Sequence, residues 1–141
     1  MANLNRRINT QRLAQKNKEP LRPLKKSQHS LASHIPSDIS RIIRQFAVDS
    51  KQILQENVIA EYLFGSYATN TFRPLSDIDI LILVDAFTPE IRRQMSGLAS
   101  DYSLQFGVCI SPIIKDSKVW NKNMQFHTLF YQEVTQHGIQ L

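Results

Sequence analysis

The residues best suited to chemistry lie in one stretch, 65–84, which reads GSYATNTFRPLSDIDILILV. Two carboxylates, Asp77 and Asp79, open its apolar end. Side chains two residues apart on a strand share a face, so the pair is predicted to project side by side. Neighbouring carboxylates repel one another, and either a cation between them or a shared proton removes that cost. Mg²⁺ suits such a pair, because it binds one or two carboxylates and completes its shell with water and phosphate oxygens.

Gly65 and Ser66 stand just upstream and have the side-chain types that accommodate a phosphate. Glycine allows a sharp turn or a close approach of backbone to ligand. Residues 67–69 are predicted to begin a short helix, whose free N–H groups favour an anion. Arg73 is the basic residue nearest in sequence, and it is a candidate contact for a triphosphate or an acidic acceptor, with simple solvation as the alternative. The stretch therefore predicts a phosphate cradle beside a cation site.

Hydrophobic periodicity predicts the elements that position these residues. Strands are predicted where short β-branched runs occur, and helices where apolar residues recur at three- and four-residue spacing. The predicted order is a helix over 37–55, strands over 58–64 and 78–84, a helix over 88–106, a strand over 108–114 and a helix over 124–137. In the second strand, Ile78 and Ile80 are predicted to point into the core. Pro112 predicts that the third strand lies at an edge or ends there.

Gly65-Ser66, ten residues, and then Asp77-Ile78-Asp79 in a hydrophobic strand form a pattern that resembles a known family. It is similar to the nucleotidyltransferase superfamily with the DNA polymerase β-type fold, especially its minimal stand-alone members. The resemblance is most specific over residues 65–84 and extends more loosely over 35–141. It implies an α/β (α+β) fold, in which helices pack on a small mixed sheet.

The same resemblance implies the roles of the site residues. In that family the Gly-Ser pair binds the triphosphate, which assigns this role to Gly65 and Ser66. Its two aspartates hold Mg²⁺ in a two-metal site, which assigns the metal to Asp77 and Asp79. The implied reaction transfers a nucleoside monophosphate from an NTP, with ATP favoured, to an acceptor hydroxyl.

Two positions depart from the family pattern. The family usually carries a third metal-binding carboxylate on the next strand, and the aligned position here is predicted to be Gly107. Asp101 lies on the preceding helix and is predicted to be a solvated charge rather than the missing ligand. Asn70 replaces a more usual glycine, and asparagine tolerates left-handed backbone better than most residues.

The missing carboxylate leaves a second hypothesis open. The chain could be a binding module of the same fold with weakened catalysis, such as an antitoxin-type partner of a small helical protein. In the family this partner is frequently a HEPN-domain toxin, so a HEPN-like partner is implied by resemblance alone.

Charge is distributed unevenly along the chain. The 141 residues have a net charge of +5, of which residues 1–26 contribute +7 and the remainder −2. Residues 1–34 are therefore predicted to be a basic, flexible extension, and 35–141 a single nucleotidyltransferase-like domain. The extension could attract nucleic acid, but a solubilising role is favoured because no aromatic residue interleaves with its charges. Its charged residues are Arg6, Arg7, Arg12, Lys16, Lys18, Glu19, Arg22, Lys25 and Lys26.

Cys109 is the single cysteine, so no intramolecular disulfide is possible. It is predicted to be a small buried apolar residue rather than a nucleophile. One free cysteine fits a reducing compartment, and no apolar run is long enough to span a membrane. A cytoplasmic location is expected.

Overall fold

Four strands, five helices and one 3₁₀ turn form residues 31–141, the part of the chain that the computed structural model describes. None of the helices in this part is both long and apolar enough to cross a membrane. In chain order the elements are α1 (Ser37–Leu54), the 3₁₀ turn (Gln55–Asn57), β1 (Val58–Phe64), α2 (Ser66–Thr69), β2 (Ile78–Val84), α3 (Pro89–Phe106), β3 (Ile110–Asp116), α4 (Ser117–Gln125), α5 (Leu129–His137) and β4 (Ile139–Gln140).

The strands form one mixed sheet in the order β3-β2-β1-β4. β1 runs antiparallel to both of its neighbours, β2 and β4. β2 and β3 are parallel, and α3 makes the crossover between them. Phe64 at the end of β1 pairs with Asp79 of β2, and Asp79 pairs in turn with Ser111 of β3. The predicted small mixed sheet with packed helices is confirmed, and β3, which contains Pro112, lies at the sheet edge as expected.

One face of the sheet carries the larger core. Alternation along β2 sends Ile78, Ile80 and Ile82 into a cluster with Phe46 of α1 and Met95 of α3. All five side chains are almost completely buried. Each stabilises the fold by about 1.5–3 kcal/mol relative to an exposed position. The predicted inward direction of Ile78 and Ile80 is confirmed, and this core fixes the register of β2.

The opposite face carries a smaller core. Leu81 and Leu83 of β2 pack there with Trp120 of α4 and Val134 of α5. The alternation that sends Leu81 to this face also places Asp79 on it, nearer the start of the strand. Asp79 is only half-buried, so α4 and α5 cover this face incompletely and leave its carboxylate end accessible to a ligand.

The prediction of one helix over 124–137 is wrong. α4 already begins at Ser117, and the chain breaks between α4 and α5, where His127 has a φ of 46°. Side-chain capping explains both boundaries, because Asp116 accepts a hydrogen bond from the first turn of α4 and Thr128 from that of α5. The break lets α5 pack across the sheet independently of α4.

Packing also extends upstream of the predicted domain start at residue 35. Leu31 and Ile35 are both buried in the larger core. The His34 Nε2 atom lies 2.7 Å from the backbone oxygen of Tyr67, at hydrogen-bonding distance. The basic extension predicted for residues 1–34 falls, as far as residue 30, outside the described residues.

Candidate active site

Gly65 forms the turn that joins β1 to α2. Its φ is 73° and its ψ is −152°, a backbone conformation that side-chain-bearing residues rarely adopt. A Cβ atom at this position would lie 2.3 Å from Oδ2 of Asp79. The sequence therefore needs glycine here for two reasons, the backbone conformation and the close approach of the carboxylate. The turn and Asp79 are in direct contact.

The short helix α2 continues from this turn. The amides of Ala68 and Thr69 both donate to the Gly65 carbonyl at 3.1 Å, which fixes the first turn of the helix. Asn70 ends the helix with a φ of 59°, so the expected left-handed backbone at this position is confirmed. Ser66 begins the helix and is half-buried beside Gly65, which agrees with the predicted position of the Gly-Ser pair.

The loop after α2 delivers Asp77 to the site. Its first part is anchored by Phe72, whose ring stacks on the buried Tyr67 ring with centroids 4.4 Å apart. A tight turn follows, in which the Ser76 hydroxyl accepts a hydrogen bond from the Arg73 amide at 2.7 Å and the Ser76 amide donates to the Arg73 carbonyl at 3.0 Å. Both backbone constraints act directly upstream of Asp77.

The structure brings Asp77 and Asp79 together. Burial raises the pKa of Asp79 above its ordinary value, and the charges of Asp77 and Glu133 raise it further. Asp77 itself is exposed. An ionised pair in this position repels, and a divalent cation would reverse that interaction. Two carboxylates at an open edge fit Mg²⁺, which shares its shell between protein, water and phosphate oxygens. No group of three or more ligating side chains suited to a metal occurs among residues 31–141.

Arg73 is less closely connected to the site than its position in sequence suggests. Its side chain is exposed, and the groups that shift the pKa of Asp79 do not include it. Its backbone makes the turn with Ser76 described above. A contact between the Arg73 guanidinium and a bound triphosphate remains a prediction.

The predicted place of the missing third carboxylate is wrong. Gly107 is not on a strand, because it caps the C-terminus of α3 with a φ of 66°. β3 begins only at Ile110, and the residue that flanks Asp77 is Cys109, whose carbonyl accepts from the Ile78 amide at 2.8 Å. The Cys109 thiol hydrogen-bonds to Asp77, and this contact raises the thiol pKa. Ser111 of β3 lies beside Asp79, so a thiol just before β3 and a hydroxyl on it stand where an acid was sought.

Comparison with known proteins assigns this arrangement to a family. Residues 43–135 match the family described as the nucleotidyltransferase domain. This chain belongs to the nucleotidyltransferase domain family. It is 35% identical over 105 residues to a candidate protein adenylyltransferase of Methanocaldococcus jannaschii, a match that covers 74% of this chain and 99% of that protein. A second candidate protein adenylyltransferase of that organism is 29% identical over 98 residues, or 70% of this chain and 92% of the relative.

Solved structures resemble the nucleotidyltransferase domain in fold alone. One is a mutant of the toxin-antitoxin MntA-HpeT, with a TM-score of 0.47 and 22% identity over 70% of both chains. Another is a toxin-antitoxin crystallised with AMP-PNP, with a TM-score of 0.46 and 21% identity over 68% of this chain and 69% of that one.

Two expectations about single residues had opposite outcomes. Cys109 is exposed, so its predicted burial is wrong. Asp101 is exposed on α3, as expected for a solvated charge. The burial prediction failed because the strand containing Cys109 was expected to start at residue 108, whereas β3 starts at Ile110 and leaves Cys109 before the strand.

Glu133 is an acid on the side of Asp79 that the sequence analysis did not single out within its predicted helix over 124–137. It lies on α5 and its charge contributes to the raised pKa of Asp79. The available signal was its spacing, because Glu133 stands three residues after Phe130 and directly before Val134, two residues of the smaller core. An acid at such a position borders the sheet-facing side of its helix.

Proposed function

We propose that this nucleotidyltransferase domain binds ATP with Mg²⁺ and transfers AMP to an acceptor hydroxyl, with release of pyrophosphate. The observation that carries the proposal is the contact between the Gly65 turn and Asp79, since a Cβ at residue 65 would lie 2.3 Å from the carboxylate oxygen. A phosphate held at the turn would be next to a cation held by the carboxylates.

Each residue has a distinct part in this proposal. Gly65 and Ser66 bind the triphosphate, with the serine hydroxyl and the first amides of α2 as donors. Asp77 and Asp79 hold Mg²⁺, which when bound neutralises charge on the phosphates and orients them for in-line transfer. The exposed Arg73 guanidinium is a candidate contact for the triphosphate or for an acidic acceptor.

A protein hydroxyl is the acceptor class that we favour. Two relatives are described as candidate protein adenylyltransferases, and one of them is covered over 99% of its length. Serine, threonine and tyrosine side chains would then be the attacking groups. A cytoplasmic location agrees with the use of ATP and is part of the proposal.

Transfer of label from [α-³²P]ATP tests the reaction. The protein is incubated with Mg²⁺ and random-sequence peptides that contain serine, threonine and tyrosine, and incorporation is compared with that in EDTA. Mg²⁺-dependent incorporation of labelled AMP is expected. The absence of both label transfer and pyrophosphate release in the wild type would reject the proposal.

A binding module with weak catalysis is the second candidate, and the lack of an acid on β3 beside the carboxylate pair favours it. Cys109 is the position to test, because its side chain contacts Asp77. If the site is degenerate, Cys109→Asp should raise transfer by about 100-fold, the scale of one positioned catalytic group. Unchanged high activity in the variant would remove the basis for this candidate.

A small helical partner of the HEPN type belongs with the second candidate. Its support is the family resemblance of the Gly65–Val84 stretch, and copurification from the native host with identification of the bound chain tests it. Nucleic-acid binding through the basic residues 1–26 is not favoured. Deletion of those residues distinguishes it, since a salt-sensitive interaction caused by them would be lost.

A further inference from the structure

The packing of α5 brings one carboxylate to the uncovered side of the site. Phe130 of α5 meets the ring of Phe64 edge-on, with centroids 5.3 Å apart. Phe64 pairs with Asp79 across the sheet. Val134, one turn after Phe130, is completely buried in the same cluster. Because Glu133 lies between these two anchors on the helix, its side chain borders the sheet face that carries Asp79.

Glu133 has no evident structural role within the described part of the chain. Its side chain is exposed, and no hydrogen bond or ion pair joins it to another residue of 31–141. Its negative charge nevertheless contributes to the raised pKa of Asp79. Cys109 and Ser111 also lie next to the carboxylate pair, but neither is an acid. The Cys109 thiol donates a hydrogen bond to Asp77, and the Ser111 hydroxyl is neutral. Glu133 is the single acid on α5, and it has no partner among the described residues.

We propose that Glu133 accepts the proton of the acceptor hydroxyl during nucleotidyl transfer. This inference rests on the proposed function. The acceptor oxygen forms a bond to the α-phosphorus while the bond between that phosphorus and the bridging oxygen of the β-phosphate breaks. The electron pair of the broken bond leaves with pyrophosphate, and the acceptor proton passes to the Glu133 carboxylate. The acceptor would approach from the side of α5.

A role for Glu133 as a metal ligand fits the structure less well. No set of three ligating side chains around one point exists in residues 31–141. A carboxylate outside the ligand set, but on the same open face, is placed to receive a proton rather than to coordinate. The family's third carboxylate was sought on β3, and here an acid from a different element would carry out the proton transfer.

Three variants test this role. Glu133→Gln keeps the shape of the side chain and removes its basicity, Glu133→Asp keeps the basicity, and Glu133→Ala opens space for an added carboxylate. Glu56→Gln is the matched control, because Glu56 is an exposed glutamate on the 3₁₀ turn. Transfer of [α-³²P]AMP to the serine, threonine and tyrosine peptides is measured together with ATP affinity and the thermal midpoint.

Glu133→Gln should lower kcat by about 100-fold or more, the usual contribution of a positioned base, with ATP affinity and the thermal midpoint unchanged. Glu133→Asp should retain a measurable part of the activity, and sodium formate should partly restore Glu133→Ala. Glu56→Gln should match the wild type in every measurement.

Equal transfer rates in the wild type and Glu133→Gln would overturn this inference and leave the proposed function in place. A rate lowered only in proportion to ATP affinity, or without rescue by either formate or Glu133→Asp, would also overturn it. A wild type that neither labels peptides nor releases pyrophosphate would overturn the proposed function, and the assignment of Glu133 with it.

Discussion

Gly65 and Asp79 lie in contact, such that a methyl group at residue 65 would meet Oδ2 of Asp79 at 2.3 Å. This contact links two parts of the sequence motif that are separated by α2 and the loop after it. It also explains why the turn holds a glycine, since both the φ of 73° and the nearby carboxylate exclude a side chain.

Gly65→Ala should disrupt the site while the fold survives. The substitution forces the Asp79 carboxylate to move and places alanine in an unfavourable backbone region, which costs about 1–3 kcal/mol. ATP affinity should fall, and the free energy of unfolding from urea titration should decrease by that amount. Gly97→Ala is the matched control, because an added Cβ at this α3 position would meet no atom within 4 Å apart from its chain neighbours and the nearby backbone of its own helix. It should stabilise the protein by about 1 kcal/mol. Unchanged ATP affinity in Gly65→Ala would contradict the account of the turn.

The buried Glu61 should make the fold less stable at neutral pH than in mild acid. Burial raises its pKa to about 6, although Ser50 donates a hydrogen bond to it and Lys51 lies 3.8 Å away. The folded state thus holds a proton more tightly than the unfolded chain, so this group's contribution to stability falls as pH rises from about 4.5 to 6. The change is about 2 kcal/mol at most.

Glu61→Gln should remove this pH dependence. The amide can keep the contact with Ser50 without a buried charge, so urea unfolding at pH 7 should show higher stability than the wild type. Exposed Glu56 supplies the control, because Glu56→Gln should leave the dependence of the free energy of unfolding on pH unchanged. If the wild-type free energy of unfolding instead rises between pH 4.5 and 6, and Glu61→Gln abolishes that rise, the predicted direction of the pH dependence is wrong.

Cys109 should report on occupancy of the site. It is exposed, it is the single cysteine, and its thiol contacts Asp77. N-ethylmaleimide should therefore place one bulky group beside the carboxylate pair and block nucleotide transfer, and ATP with Mg²⁺ should slow the labelling. Mass spectrometry and the transfer assay check both effects. Cys109→Ser should be active and resistant, and a fully labelled protein with normal transfer would remove Cys109 from the site.

Local patterns were sufficient to predict the local geometry of the carboxylate pair and of the turn before it. The spacing of Asp77 and Asp79 at the start of an apolar strand predicted a pair on one face, and the left-handed conformation of Asn70 followed from its side-chain type. These features depend on strand alternation and on backbone preferences, both of which are short-range properties. The mixed sheet could be predicted only from the family resemblance.

Features that depend on tertiary packing were not predictable in this way. Glu133 lies on the side of α5 toward the sheet because Phe130 and Val134 pack on that sheet, which is a contact between segments far apart in sequence. The strand start after α3 was misplaced because Gly107 ends the helix without beginning the strand, which put the wrong residue beside Asp77. The break before Thr128 depends on a capping hydrogen bond that competes with helical periodicity.

Calorimetric titration of ATP into the wild type and into Asp79→Asn, each with and without Mg²⁺, tests most directly whether the turn and the carboxylates form one nucleotide site. Asp101→Asn serves as the control, since Asp101 is an exposed acid on α3. The wild type and Asp101→Asn should bind ATP more tightly with Mg²⁺ than without it, and Asp79→Asn should lose that difference. Equal ATP affinity in all three proteins, with or without Mg²⁺, would contradict the account.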